Sequence, residues 1–257
     1  MSRMFPRMDA YIAPAGRGRI AVDERTVTGA PEALKGLRTV FVSDVHMRPG
    51  MDAEPLVRRI MDAQPDLILL GGDYADRKED ALRLFDAFRA LRAPRGIFAA
   101  RGNNDAEAFE SAEELADAVS LFGARLLVDE CADGGGFLIG AVNEYRHSRS
   151  EYGKVFAGKA GYKILLSHYP VLPKGGEKPD LMLCGHTHGG QFNALGLTPY
   201  GIGFERVGGM SHLAPEMVSG FDTVEGVKML VSKGIGTSRI HWRIGVEPQI
   251  HLLHFEC

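Results

Sequence analysis

The sequence predicts an α/β protein built as one domain, with two packed sheets and helices outside. Three observations carry this. In the first half, short β-branched or apolar runs alternate with amphipathic stretches of helical period. That is the pattern of βαβ units and a mostly parallel sheet. In the second half, strand-like runs succeed one another with few helical stretches between them, and no Gly/Ser/Pro-rich linker or internal repeat separates the halves.

Residues 1–36 carry few periodic signals and several Gly and Pro, so they read as an N-terminal arm or edge strand. Thr39–Val42 is β-branched and aromatic, a buried strand. Between Glu54 and Ala63, Leu56, Val57, Ile60 and Met61 recur at helical spacing. Asp66–Leu70 is a second apolar strand, closed by Gly71 and Gly72. Glu79–Leu91 is helical, with Leu82, Leu84, Phe85, Phe88 and Leu91 mostly on one side. Gly96–Ala100 is a third strand, and after Ser111 the residues Leu115, Ala116, Val119 and Phe122 mark a helix that Gly123 ends. Phe137–Val142, Lys163–Ser167, Asp180–Cys184, Met229–Ser232 and Gln249–His254 follow as strands.

Composition narrows the class. The 257 residues suffice for a full core without disulfides or a structural metal. The formal net charge of −3 lacks the basic excess of a general nucleic-acid binder, and no sequence-specific nucleic-acid binding is expected. No run approaches the roughly 18 apolar residues of a membrane span, so no transmembrane anchor is expected. The three cysteines, Cys131, Cys184 and Cys257, are odd in number and far apart, which reads as a reducing compartment and a cytoplasmic location.

Chemistry-bearing residues collect where strands end. The first predicted strand ends in Ser43-Asp44-Val45-His46, the second in Gly71-Gly72-Asp73-Tyr74, and the third in Arg101-Gly102-Asn103-Asn104-Asp105. Later strands end in Ser167-His168-Tyr169-Pro170 and in Cys184-Gly185-His186-Thr187-His188-Gly189-Gly190-Gln191. Ligands of open α/β sheets gather outside the carboxyl ends of the strands. In D-x-H and H-x-H, alternate residues of an extended segment point the same way, so each pair can converge on one ion. Imidazole nitrogens and carboxylate oxygens suit Zn, Mn and Fe, and no thiolate pattern competes. One such motif alone is more often a satisfied polar pair; five in succession, each after a strand, make coincidence a minor reading.

The run D-x-H, G-D, G-N, H and G-H-T-H resembles the calcineurin-like metallophosphoesterase superfamily. Cys184–Gln191 and Val231–Ser238 are similar to the bacterial subgroup typified by the YkuE and YaeI phosphodiesterases. The resemblance covers the chain from about Gly36 onward. It implies a four-layer α/β sandwich of two packed mixed β-sheets flanked by helices, and a dinuclear metal centre. By that resemblance Asp44, His46 and His188 hold one ion, Asn103, His168 and His186 hold the other, and Asp73 bridges them. The two divalent ions are expected to be Mn²⁺, with Zn²⁺ or Fe as alternatives. Two ions roughly 3.5–4 Å apart clamp a phosphate and the attacking oxygen, and bound water is acidified enough to serve as hydroxide at neutral pH. The implied activity is in-line hydrolysis of a small-molecule phosphoester, foremost a phosphodiester. The alternatives are a monoesterase or a nucleotide-sugar or lipid pyrophosphohydrolase, and, from another class, a non-catalytic binding protein on the same fold.

One position departs from the family. Most members read G-N-H-[DE], whereas this chain has Asn104. Asn donates a hydrogen bond but cannot shuttle a proton. Asn104 is therefore expected to orient substrate, and activity on poor alkyl leaving groups is in doubt. Asp73 and Asn104 are the expected catalytic residues.

Other segments admit two readings. Gly153–Ala160 nearly matches a P-loop but lacks the final Ser or Thr and reads as coincidence. Asn143–Tyr152 is a solvated loop or a substrate-contacting one, in which Arg146 suits phosphate oxygens and His147 could supply a proton. Phe192–Phe221 is long for a structureless connection and is either a lid, with Tyr200 and Phe204 lining an apolar wall of the substrate site, or a locally packed loop. His212, His241, His251 and His254 read as packing or surface residues.

Overall fold

Period-two patterning sorts the side chains of each strand between two layers. A computed structural model of the chain describes residues 12–14, 19–143, 154–172, 176–193 and 217–257. The strands are β1 (Ile12–Pro14), β2 (Ala21–Val27), β3 (Arg38–Val42), β4 (Leu67–Leu70), β5 (Ile97–Ala99), β6 (Ala124–Leu126), β7 (Glu130–Asp133), β8 (Leu138–Ala141), β9 (Lys163–Ser167), β10 (Leu181–Cys184), β11 (Gly220–Val224), β12 (Val227–Val231), β13 (Trp242–Ile244) and β14 (Gln249–Phe255). The helices are α1 (Glu54–Asp62), α2 (Lys78–Phe88), α3 (Asn103–Ala108) and α4 (Ala112–Ser120).

Two six-stranded sheets result, in the orders β2-β14-β3-β4-β5-β6 and β11-β12-β10-β9-β8-β7, and β1 and β13 form a separate two-stranded ribbon. Both large sheets are mixed. In the first, β3, β4, β5 and β6 are parallel, while β14 runs antiparallel to β3 and parallel to β2. In the second, β12, β10, β9 and β8 are parallel, with β11 and β7 antiparallel at the edges. The architecture is α/β, two packed mixed sheets with flanking helices.

The sheets meet through one face of each. Phe41 of β3, Leu67 and Leu69 of β4, Ile164 and Leu166 of β9, Leu181 and Leu183 of β10, and Leu230 of β12 form the layer between them. The alternate residues Val40, Val42, Ile68 and Leu70 turn outward and bury the faces of α1, α2 and α4. Each such side chain contributes about 1.5–3 kcal/mol on burial. On the far face of the second sheet, Met182, Cys184, Met229 and Val231 pack with Val155, Phe156 and Leu172. Val155 and Phe156 belong to the near-P-loop segment, so its apolar residues are packing residues.

Local chemistry explains the helices. α1 starts with Glu54 and a proline in its first turn and buries Leu56, Val57 and Ile60. Ser111 caps α4 by accepting the Glu114 N–H at 3.2 Å, worth about 1 kcal/mol. Several elements differ from the sequence expectation. Leu82 is 38% exposed and lies off the buried face of α2. The short α3, β6, β7 and β13 were not expected; none exceeds six residues, too few to show a period. The segment read as irregular to Phe221 already contains the start of β11, whose residues Gly220–Val224 pair with β12 on the sheet edge. Among the described residues, no helix is long and apolar enough to cross a membrane.

Candidate metal centre

The ends of β3, β4, β9 and β10, with the loop after β5, carry the polar residues of the site. The backbone there is strained: Asp44, His46, Asp73, His186 and His188 all have positive φ, between 42° and 68°. Non-glycine residues rarely adopt that region, and such strain clusters where side chains must be aimed at a common point. Two glycines allow the strand ends to approach. A Cβ on Gly102 would lie 2.1 Å from Asp73 Oδ1, and one on Gly185 would lie 2.2 Å from Asp44 Oδ2.

Two donor groups form, each with its ligand-type atoms within 4.8 Å of one another: Asp44, His46 and His188, and Asp73, His168 and His186. All are buried except His186, which is half-buried. Asp73 lies between the groups. Its Oδ2 is 3.2 Å from His168 Nε2 and 3.4 Å from His46 Nε2. Asp44 Oδ1 is 3.5 Å from His188 Nε2, and the His188 and His46 Nε2 atoms are 3.1 Å apart. The second nitrogens of two rings are held from behind. His46 Nδ1 is 2.7 Å from Asp76 Oδ1, and His168 Nδ1 is 2.9 Å from the Gly71 carbonyl. Acceptors at Nδ1 leave the Nε2 lone pairs directed inward, as metal-ligating imidazoles require.

Asn103 opens α3, buried, with its Oδ1 accepting the Tyr169 hydroxyl at 3.2 Å. Asn104, next to it, donates its backbone N–H to Asp73 Oδ1 at 2.9 Å and its amide to Asp76 Oδ1 at 3.0 Å. It thus sits on the rim between the central carboxylate and a surface acid. Arg146, His147, Tyr200 and Phe204 lie outside the described residues.

Electrostatics separate the members. Burial and the Asp73 charge raise the pKa of Asp44. Asp73 is buried too, yet His168 and His46 hold it well below the usual carboxylate range. For His168, burial opposes the charge, but Asp73 prevails and its pKa rises to about 10. His188 falls well below the ordinary value, through burial first and then the neighbouring His46 and Arg243. The fit to divalent cations follows from the donors themselves. His168 Nε2 is fully buried without a hydrogen bond of good geometry, and two acidic and several imidazole groups crowd one buried point. Cations relieve that crowding and take up oxygen and nitrogen donors of this type.

Three residues that sequence reasoning passed over stand directly behind the site. Asp105 is fully buried and accepts the backbone N–H of Asp73 at 2.7 Å, Gly102 at 2.8 Å and Tyr74 at 2.9 Å. It ties the loop after β4 to that after β5, and burial, with Asp73 beside it, pushes its pKa up to about 7. Asp76 holds His46; its spacing of three from Asp73 was the available signal. Arg243 of β13 is buried, and no local motif announces it.

Paired carboxylate–imidazole groups at the carboxyl edges of two packed sheets make a candidate metal centre. The chain belongs to the calcineurin-like phosphoesterase family, whose model matches residues 37–190. An uncharacterized metallophosphoesterase of Aquifex aeolicus (strain VF5) is 30% identical over 228 residues, covering 83% of this chain and 83% of that protein. The uncharacterized metallophosphoesterase YkoQ of Bacillus subtilis (strain 168) is 26% identical over 245 residues, covering 90% and 87%. The uncharacterized protein YpbG of the same organism is 25% identical over 242 residues, covering 89% and 86%. The protein is accordingly a metal-dependent phosphoesterase.

Proposed function

We propose that the protein hydrolyses phosphodiesters with two divalent ions, Mn²⁺ foremost, held by Asp44, His46 and His188 and by Asn103, His168 and His186, with Asp73 shared. The observation that carries this is the position of Asp73 Oδ2, 3.2 Å from His168 Nε2 and 3.4 Å from His46 Nε2, one carboxylate between two donor groups. When bound, such ions polarise phosphoryl oxygens and acidify water for in-line attack at phosphorus. The chain's own residues do the rest. Asp44 and Asp73 supply negative charge in a buried cluster. Asp76 and the Gly71 carbonyl fix the ring orientation of His46 and His168.

Asn104 provides an amide at the rim but no transferable proton. That favours esters whose leaving group departs unprotonated, and so activated diesters over alkyl monoesters. Arg146 and His147 are assigned to a substrate-contacting loop, and Tyr200 and Phe204 to one wall of the substrate site, because their segment leaves directly from His186 and His188. The cytoplasmic reading rests on three free cysteines.

The test is elemental analysis after reconstitution with Mn²⁺ or Zn²⁺, with a panel of phosphomono- and diesters. Two ions and preferential hydrolysis of bis-p-nitrophenyl phosphate are expected. Asp73→Asn should reduce occupancy of both sites together. A protein that takes up no metal from excess Mn²⁺ or Zn²⁺ would refute the proposal.

A further inference from the structure

The two donor groups are backed differently. Behind His46 stands a carboxylate, and behind His168 a backbone carbonyl. Both accept an N–H from the ring, and both raise the electron density that the other nitrogen offers a metal. Behind His188 stands a cation: Arg243 Nη2 is 3.3 Å from His188 Nδ1. The guanidinium is firmly placed. It is 2% exposed, its Nε donates to the Gly236 carbonyl at 2.7 Å, and its Nη2 donates to the Lys233 carbonyl at 2.7 Å and also to Gly236.

A guanidinium has donors only. Nη2 has two protons for three acceptors, so His188 Nδ1 shares one with a carbonyl, and it takes that share only as an acceptor, with the ring proton on Nε2. Nε2 is the nitrogen that faces Asp44 and His46, at 3.5 and 3.1 Å. Ligation through Nε2 needs the opposite tautomer, with its Nδ1–H directed at a guanidinium. The fixed positive charge of Arg243 also repels any cation held by this group, in a buried setting where screening is weak.

We infer that Arg243 is a positioning residue that weakens metal binding at the Asp44–His46–His188 group, so that the Asp73–His168–His186 group is the tight site and the other is the weak, exchangeable one. This rests on the two-ion reading above and adds the order in which the ions load. The consequence is an enzyme whose activity follows the concentration of free divalent cation over the range of the weaker site.

The test is a Mn²⁺ titration of the full chain, read by the electron paramagnetic resonance of free Mn²⁺, on the wild type and on Arg243→Met, Arg243→Lys, His188→Ala and His168→Ala. The wild type should bind two ions with unequal affinity. His188→Ala should abolish the weaker step and keep the tight one, whereas His168→Ala should lose the tight one. Arg243→Met, which removes the charge, should tighten the weaker step by about tenfold or more, and Arg243→Lys, which keeps it, should not. Equal affinities in the wild type, loss of the tight step in His188→Ala, or an unchanged or weakened second step in a folded Arg243→Met overturns the inference. Should Arg243→Met fail to fold, the wild-type and histidine titrations decide the loading order by themselves. A wild type that binds no Mn²⁺ instead overturns the two-ion reading on which this one stands.

Discussion

Replacing Gly102 by Ala tests whether the central carboxylate is held by the close approach of two loops. A Cβ at this position would lie 2.1 Å from Asp73 Oδ1 and 2.4 Å from the Asp73 backbone nitrogen, where real Cβ contacts do not come below 3.0 Å. One of the contacted atoms is backbone, so a rotamer change cannot relieve the overlap. The loop carrying Asp73 must retreat by about 1 Å, and a misplacement of that size in a reacting centre costs on the order of 100-fold in rate. Overpacking at a tight site also destabilises by about 1–3 kcal/mol.

Two measurements separate these effects. Metal content and the rate on bis-p-nitrophenyl phosphate report on Asp73, while thermal unfolding reports on strain. Gly123→Ala is the control: its φ is +80° and no atom lies within 4 Å of the added Cβ, so it carries backbone strain alone. It should lower stability by roughly 1 kcal/mol and leave metal content untouched. Gly102→Ala with two bound ions and wild-type turnover would show that the contact does not position Asp73.

Asp76→Asn removes the carboxylate behind His46 and should weaken metal affinity by about 10–100-fold with little change in melting temperature, since Asp76 is nearly half exposed; isothermal titration checks this, and unchanged affinity counts against it. Asn104→His should raise turnover of diesters and monoesters with alkyl leaving groups more than that of aryl esters, because it restores a group that can pass a proton; a wild type already equally fast on both classes refutes the argument. Phe204→Ala should alter KM or the preference among diesters at constant metal content; lower thermal stability with unchanged relative rates would instead mark pure packing.

Much of the site was legible because its information is local. D-x-H and H-x-H place two donors on one side of an extended segment, and their position after apolar runs puts them at strand ends. The main strands were legible as apolar runs bounded by turn residues, and the helices α1, α2 and α4 by nine to eleven residues of period 3.6. The short α3 and β13 carry no such period, and both matter, since one presents Asn103 and Asn104 and the other carries Arg243.

Neighbourhood was decided by the tertiary structure alone. The C-terminal β14 inserts between β2 and β3, so strands more than 200 positions apart in the chain become hydrogen-bonded neighbours. Local periodicity contains no term for that pairing. Asp105 reaches backbone groups 31 and 32 residues away, and Arg243 meets His188 across 55 residues. Sequence by itself thus determined which donor atoms are available and on which strand ends they sit. Folding decided what stands behind each of them, because the hydrogen bonds that orient a ligand are made between segments that only the packed sheets bring together.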